Sequence, residues 1–243
     1  VYSEKGLKHV NKVNKVPKEK IFIAKNTLDI EDISKRSINF SNEDISDFRN
    51  SMGIENEDFV ICYLGRIVKE KNPIWVTEAI DYLNKNNLSC HAMFIGEGSE
   101  QSNVQRYSEK LNKDIRKKIH FFGHIDFEKV DLYLKSANIS VMPGMTGLAI
   151  VHSFALGKPY ITIDISSHSP EIDYLINNKN GLIVKNNKQS FFEAIESLIR
   201  NKDLYKQLVR GAEKYAIEEL SSKKQIQAFT ELSILIQKSK ENT

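Results

Sequence analysis

Arg66 and Lys71 stand five residues apart where an apolar run ends at Gly65, and their types suit the binding of a charged ligand. A guanidinium grips two oxygens in a fork, whereas an ammonium acts as a point charge. Placed at a strand end and at a helix start opened by Asn72-Pro73, the two together suit a pyrophosphate. Lys69 and Glu70 lie between them, so a solvated charge cluster is an equally open reading of the same residues.

A second anion signal lies in VMPGMTGLAIVHSFALGKPY, residues 141–160. Val141 and Met142 read as the end of a buried strand that Pro143-Gly144 breaks. Thr146 offers a hydroxyl of the N-cap kind ahead of Gly147 and the apolar residues Leu148, Ile150, Val151, Phe154 and Leu156, so a helix is expected to begin there. Gly157, followed by Lys158 and Pro159, closes it. A helix whose free N–H groups face the carboxyl end of a strand attracts phosphate.

Other candidates carry less. Gly96-Glu97-Gly98 follows a strand, but Gln101 stands where a dinucleotide loop has its third glycine, so the fragment reads only as a glycine loop at the ligand edge. Asp29, Glu31 and Asp32 read as a solvated acidic turn, and no metal is expected. His124 and His152 fall at the predicted ligand edge, while His9, His91, His120 and His168 read as ordinary. Cys62 and Cys90 lie in apolar runs without a second ligand at metal spacing and are expected as reduced core thiols. Nucleophile-elbow and Walker loops are missing from the sequence.

The elements that must position these residues alternate. Strands are predicted at 59–64, 91–95, 119–122, 139–142, 160–163 and 181–184, separated by helices at 73–84, 100–117, 127–136, 148–156 and 171–176. That is the pattern of a doubly wound, Rossmann-like parallel sheet of about six strands, whose ligand edge is formed by the strand ends at Gly65, Gly96, Gly123 and Gly144. Ahead of it, a helix at 42–52 is capped by Ser41, a short strand is expected at 21–24, and residues 1–20 form a helical turn or two with a lysine-rich face. Behind it come helices at 188–200, 204–216 and 222–237, the last with a broad apolar face. A length of 243 residues with 40% hydrophobic content supports a real core, and a net charge of +3 without aromatic-rich basic runs argues against nucleic acid. With no apolar run of membrane-spanning length, a cytoplasmic protein is expected, and its basic N-terminal stripe allows peripheral membrane association.

Taken together, the spaced motifs resemble the C-terminal half of a GT-B glycosyltransferase of the large retaining family 4. NTLD at 26–29 is similar to that family's Asn-Gly-Val-Asp turn, and YLGRIVKEKNP at 63–73 to its Gly-Arg-Leu and Glu-Lys-Gly signature. FIGEGSE (94–100), HFFGHI (120–125), SANISVMPG (136–144), GLAIVHSFALGKPYIT (147–162) and NGLIV (180–184) follow in the family's order. The resemblance implies a connecting segment at 1–40, a nucleotide-sugar-binding domain at 41–220 and a crossover helix at 221–243 that reaches a missing N-terminal domain of about 150 residues. It implies that Arg66 and Lys71 hold the donor diphosphate and stabilise charge on the leaving nucleotide without metal or cofactor. Gly65 and Glu97 would belong to the loops around it, N–H groups of Thr146, Gly147 and Leu148 would cap the distal phosphate, and His124 and Ile125 would border the base. Gly144 and His152 occupy the places of the family's two donor-contacting glutamates. The implied activity is transfer of a sugar from a nucleotide-diphospho-sugar to a bacterial polysaccharide or lipid-linked glycan acceptor at the inner face of the membrane. The alternative is a catalytically inactive GT-B module serving as partner or scaffold.

Overall fold

FVICYL, at residues 59–64, has no polar side to show to water, and it folds as a strand covered on both faces. Phe59, Ile61 and Tyr63 point into one core cluster, whereas Val60 and Cys62 point into another. The structure is a computed structural model that describes residues 1–241, with side chains described through residue 237. Its strands are β1 (Phe59–Leu64), β2 (Cys90–Ile95), β3 (Ile119–Phe121), β4 (Ile139–Met142), β5 (Tyr160–Ile163) and β6 (Gly181–Val184). They form one parallel sheet in the order β3-β2-β1-β4-β5-β6. The chain therefore winds outward from β1 to β3, crosses back to β4 beside β1, and winds out the other way. A crevice forms where that direction reverses, at the carboxyl ends of β1 and β4.

Helices cover both faces. α1 (Glu4–Val13), α2 (Ile30–Ile38) and α3 (Asn42–Ser51) precede the sheet. Within it lie α4 (Pro73–Lys85), α5 (Gln101–Glu109), α6 (Lys113–Arg116), α7 (Val130–Ser136) and α8 (Ala149–Ala155), and after it α9 (Lys188–Arg200), α10 (Lys202–Glu219) and α11 (Ser222–Glu241). Val76, Ile80 and Leu83 of α4, Phe191 and Ile195 of α9, and Leu208 and Ala212 of α10 pack in the larger cluster; Val130 and Leu134 of α7 pack in the smaller. Ser41 caps α3, as its sequence predicts, and Asp44 completes a capping box with it.

Three expectations change. The helix expected over 100–117 is two helices, because the Asn112 side chain caps a new start on Asp114 N–H at 2.9 Å. Residues 21–24 form no strand of the sheet among the described residues: Ala24 N–H donates instead to Val1 O at 2.9 Å. The helix expected over 171–176 is a 3-10 turn, Pro170–Tyr174, onto which α1 docks through Lys5 and Asp173, 2.8 Å apart. Cys62 and Cys90 are free and buried, and burial pushes the Cys62 thiol up to about 12. Among the described residues, no helix is long and apolar enough to cross a membrane.

Candidate functional site

The loops leaving β1, β2, β3 and β4 meet at the reversal point, and backbone contact fixes them to one another. A Cβ on Gly96 would lie 2.2 Å from Gly65 O, and both glycines have positive φ, +143° at Gly65 and +128° at Gly96. Only glycine allows that approach. The 69–72 loop is joined to the one after β4 in the same way. Asn72 Nδ2 donates to Pro143 O at 2.7 Å, Met145 N–H donates to Glu70 O at 3.0 Å, and a Cβ on Gly144 would lie 2.3 Å from Glu70 O.

Between these loops opens a cavity of about 570 Å³. Gly65, Arg66, Lys71, Glu97, His124, Ile125, Gly147, Leu148 and His152 line it, so nine of the residues singled out from sequence converge from the segments that follow four strands. Arg66 is positioned from β1, where Tyr63 Oη donates to its carbonyl at 2.7 Å. Among the described residues, neither Arg66 nor Lys71 has an ion pair or a side-chain hydrogen bond. Burial, with the neighbouring Arg66 charge, holds the Lys71 ammonium below the usual lysine value. Lys71, partly desolvated and without a counter-ion, beside the exposed Arg66, makes this an anion site by its electrostatics. The Glu97 carboxylate does not neutralise it. It accepts from His124 N–H at 3.2 Å and sits against the tight turn at Gly123, thereby fixing the 123–125 wall.

Two expected site residues do not line the cavity. Gly144 is taken up in the contact with the 69–71 backbone, which leaves no room for a side chain. Thr146 is not an N-cap: its hydroxyl shares a 2.6 Å hydrogen bond with Tyr160 Oη in the interior, and the cap position of α8 is Leu148. Its N–H is not free either, since it donates to His168 Nδ1 at 3.2 Å, while His168 Nε2 is 2.7 Å from Ile163 O. His168, read as ordinary from sequence, therefore anchors this loop. Its pKa is lowered, chiefly by burial. Gly147 and Leu148, whose N–H groups have no partner among the described residues, line the cavity.

The part of the cavity wall around His152 is more elaborate than its sequence suggests. His152 Nε2 lies 2.6 Å from Asp131 Oδ1, and Asp131 Oδ2 is 2.9 Å from Arg36 Nε. The Phe127 ring rests 4.9 Å from that of His152 and also lines the cavity. Sequence reasoning missed Phe127, Asp131 and Arg36, because only the packing of α2 on α7 and on α8 brings residues so far apart in the chain together. Asp29 and Asp32, by contrast, are local: Asp29 caps α2, and Asp32 pairs with Arg36.

The family model of glycosyl transferases group 1 matches residues 44–215. The chain is 26% identical over 160 residues to the UDP-Gal:alpha-D-GlcNAc-diphosphoundecaprenol alpha-1,3-galactosyltransferase of Escherichia coli, covering 63% of this chain and 40% of the relative. It is 25% identical over 171 residues to the capsular polysaccharide biosynthesis glycosyltransferase CapM of Staphylococcus aureus, covering 69% of this chain and 43% of the relative. The chain thus spans less than half the length of these curated relatives. In fold it is similar to the crystal structure of Anabaena HepE in complex with UDP, with a TM-score of 0.76 at 16% identity, over 96% of this chain and 62% of that one.

Proposed function

The chain belongs to the group 1 glycosyl transferases, and from that premise we propose that its cavity binds a nucleotide-diphospho-sugar and presents the sugar for transfer to a polysaccharide or lipid-linked glycan acceptor. The observation that carries this reading is the cation pair of Arg66 and Lys71, which faces the same cavity as the free N–H groups of Gly147 and Leu148. When the bond between the anomeric carbon and the phosphate oxygen breaks, its electron pair goes to that oxygen, and the nucleoside diphosphate leaves with added negative charge. In this reading Arg66 and Lys71 stabilise that charge as it develops, the role that cations lining a donor site fill. His124 and Ile125, held by Glu97, border the base. Transfer without a metal and with retention is part of the same reading; retention rests on the resemblance alone.

The printed names of the two relatives describe a diphosphoundecaprenol-linked acceptor and capsular polysaccharide biosynthesis, which supports a glycan or lipid-linked acceptor here. The span of 40% and 43% of those relatives supports reading residues 41–220 as the donor half of a two-domain enzyme. In that enzyme the acceptor approaches from the other domain, at the inner face of a membrane.

Calorimetric titration with UDP, ADP, GDP and inorganic pyrophosphate tests the reading. At least one nucleotide should bind, and Arg66→Ala and Lys71→Ala should each weaken it by roughly tenfold or more, the loss of one or two charge-assisted contacts. Parent-like binding by both variants would refute the phosphate assignment. Binding of none of the four ligands would favour a scaffold over an enzyme.

A further inference from the structure

Asp131 has no exposed side-chain surface, and both its oxygens are occupied: Oδ1 by His152 Nε2 at 2.6 Å, Oδ2 by Arg36 Nε at 2.9 Å. A carboxylate only accepts hydrogen bonds, so His152 must carry a proton on Nε2. In the neutral imidazole the other ring nitrogen, Nδ1, is then a bare lone pair. It has no partner among the described residues, and His152 lines the cavity. The arrangement is braced from behind. The Arg36 guanidinium pairs with Asp32 and lies 5.3 Å from the centre of the Phe127 ring, which in turn packs on His152.

A lone pair on a ligand wall repels phosphate oxygens and attracts O–H donors. The cavity is therefore polarised, with cations at Arg66 and Lys71 for the diphosphate and an acceptor at His152 for a hydroxyl. We propose that Asp131 and Arg36 are positioning residues that fix His152 Nδ1 as the acceptor for a sugar hydroxyl of the bound nucleotide sugar. The inference rests on the nucleotide-sugar reading of the cavity. The hydroxyl belongs either to the ribose or to the transferred sugar, and the chemistry is the same for both.

Fluorine in place of a hydroxyl keeps size and polarity but cannot donate, so hydroxyl-over-fluorine preference reads the polarity of Nδ1 directly. UDP is titrated against its 2′- and 3′-deoxyfluoro analogues, and UDP-glucose against forms fluorinated on the glucose ring. The chain should prefer the hydroxyl by about tenfold in one of the two series, the loss of one hydrogen bond, and that series identifies the source. In Asp131→Asn the amide can donate to Nε2 and move the ring proton to Nδ1, so the preference should fall to within about twofold. A merely structural role would weaken hydroxyl and fluoro ligands alike and leave their ratio unchanged. Nitrogen-15 spectra of the parent imidazole should show an unprotonated Nδ1 that becomes protonated in Asp131→Asn. Should Asp131→Asn fail to fold, His152→Phe, which leaves the Asp131–Arg36 pair intact, should abolish the preference, and Arg36→Met should reduce it. Equal binding of hydroxyl and fluoro ligands by the parent overturns the acceptor role. A ratio retained in the Asp131 or Arg36 variants overturns their positioning role. Failure of UDP, ADP and GDP alike to bind the parent would instead remove the cavity reading, and this inference with it.

Discussion

Gly144 and Lys71 show how much of the site is decided by single residues in contact with backbone. A Cβ at Gly144 would lie 2.3 Å from Glu70 O and 2.5 Å from Lys71 Cα, so Gly144→Ala must push the Lys71 loop outward. It should cost about 1–3 kcal/mol in urea unfolding, as overpacking does, and should weaken nucleotide binding as well. Gly144→Glu should be worse, not a restoration of a lost carboxylate. Lys71 makes a prediction about pH. Its folded pKa is below the usual 10.5, so between the two values the unfolded chain holds a proton that the folded chain lacks, and stability rises with pH in that window. A diphosphate binds the protonated form, so affinity moves the opposite way: calorimetry at about pH 9.5 should give weaker UDP binding than at about pH 7.5, and Lys71→Met should flatten the difference. Residues at strand ends were legible in the sequence because an apolar run that stops at glycine marks the ligand edge. Thr146 was misread because its hydroxyl is claimed by Tyr160 on the next strand, and Asp131 was invisible because its partners, Arg36 and His152, lie 95 and 21 residues away.

At the scale of elements, strands β1, β4, β5 and β6 match their sequence-based bounds, since strands buried on both faces appear as unbroken apolar runs. The boundary between α5 and α6 was not legible, because a side-chain cap at Asn112 competes with helix continuation and leaves the apolar spacing nearly unchanged. The opposite edge of the sheet holds a pair that sequence reasoning left as ordinary. His91 Nδ1 is 3.1 Å from His120 Nε2, and His91 Nε2 is 3.3 Å from Asp58. The rings are coplanar within 3°, with centres 5.5 Å apart, so the two nitrogens face each other along one line, as in a hydrogen bond and not as in two ligands converging on a metal ion. Desolvation lowers both to about 4; for His91 the Asp58 charge opposes the shift, while Lys118 and Arg49 reinforce it. A histidine whose folded pKa lies below 6.5 is protonated in the unfolded chain first, so stability should fall as pH drops from about 6.5 towards 4. Thermal melts should show a loss of several degrees over that interval, on the order of 2 kcal/mol or more. Replacing both histidines with glutamine should remove most of the slope, even where it lowers the melting temperature at neutral pH.

For the molecule as a whole, the reversal of strand order between β1 and β4 gathers four loops into one cavity. Alternating strands and helices predict a doubly wound sheet, but strand order is set by packing across the sheet and is not written in local pattern. α11 is incompletely packed within the chain over its described side chains. Its first turn is held by Ser222 N–H on Glu31 and by Gln225 on Lys25 O, while Ile226, Phe229 and Leu235 are 66%, 52% and 56% exposed. An apolar face of this kind on a helix costs solubility unless something covers it. In the two-domain reading the second domain covers it. The double variant Ile226→Lys/Phe229→Lys should therefore melt close to the parent chain, within the roughly 0.5 kcal/mol typical of surface changes. Phe191→Ala, at a fully buried position of α9, should cost about 3–5 kcal/mol. If the two-domain reading holds, the same lysine pair in a chain carrying the second domain should lower transfer to acceptor while leaving UDP affinity at the parent value, because the donor cavity lies on other elements. A large stability loss in this chain alone would mean that α11 packs on its own domain and would remove it as the bridge to a second one.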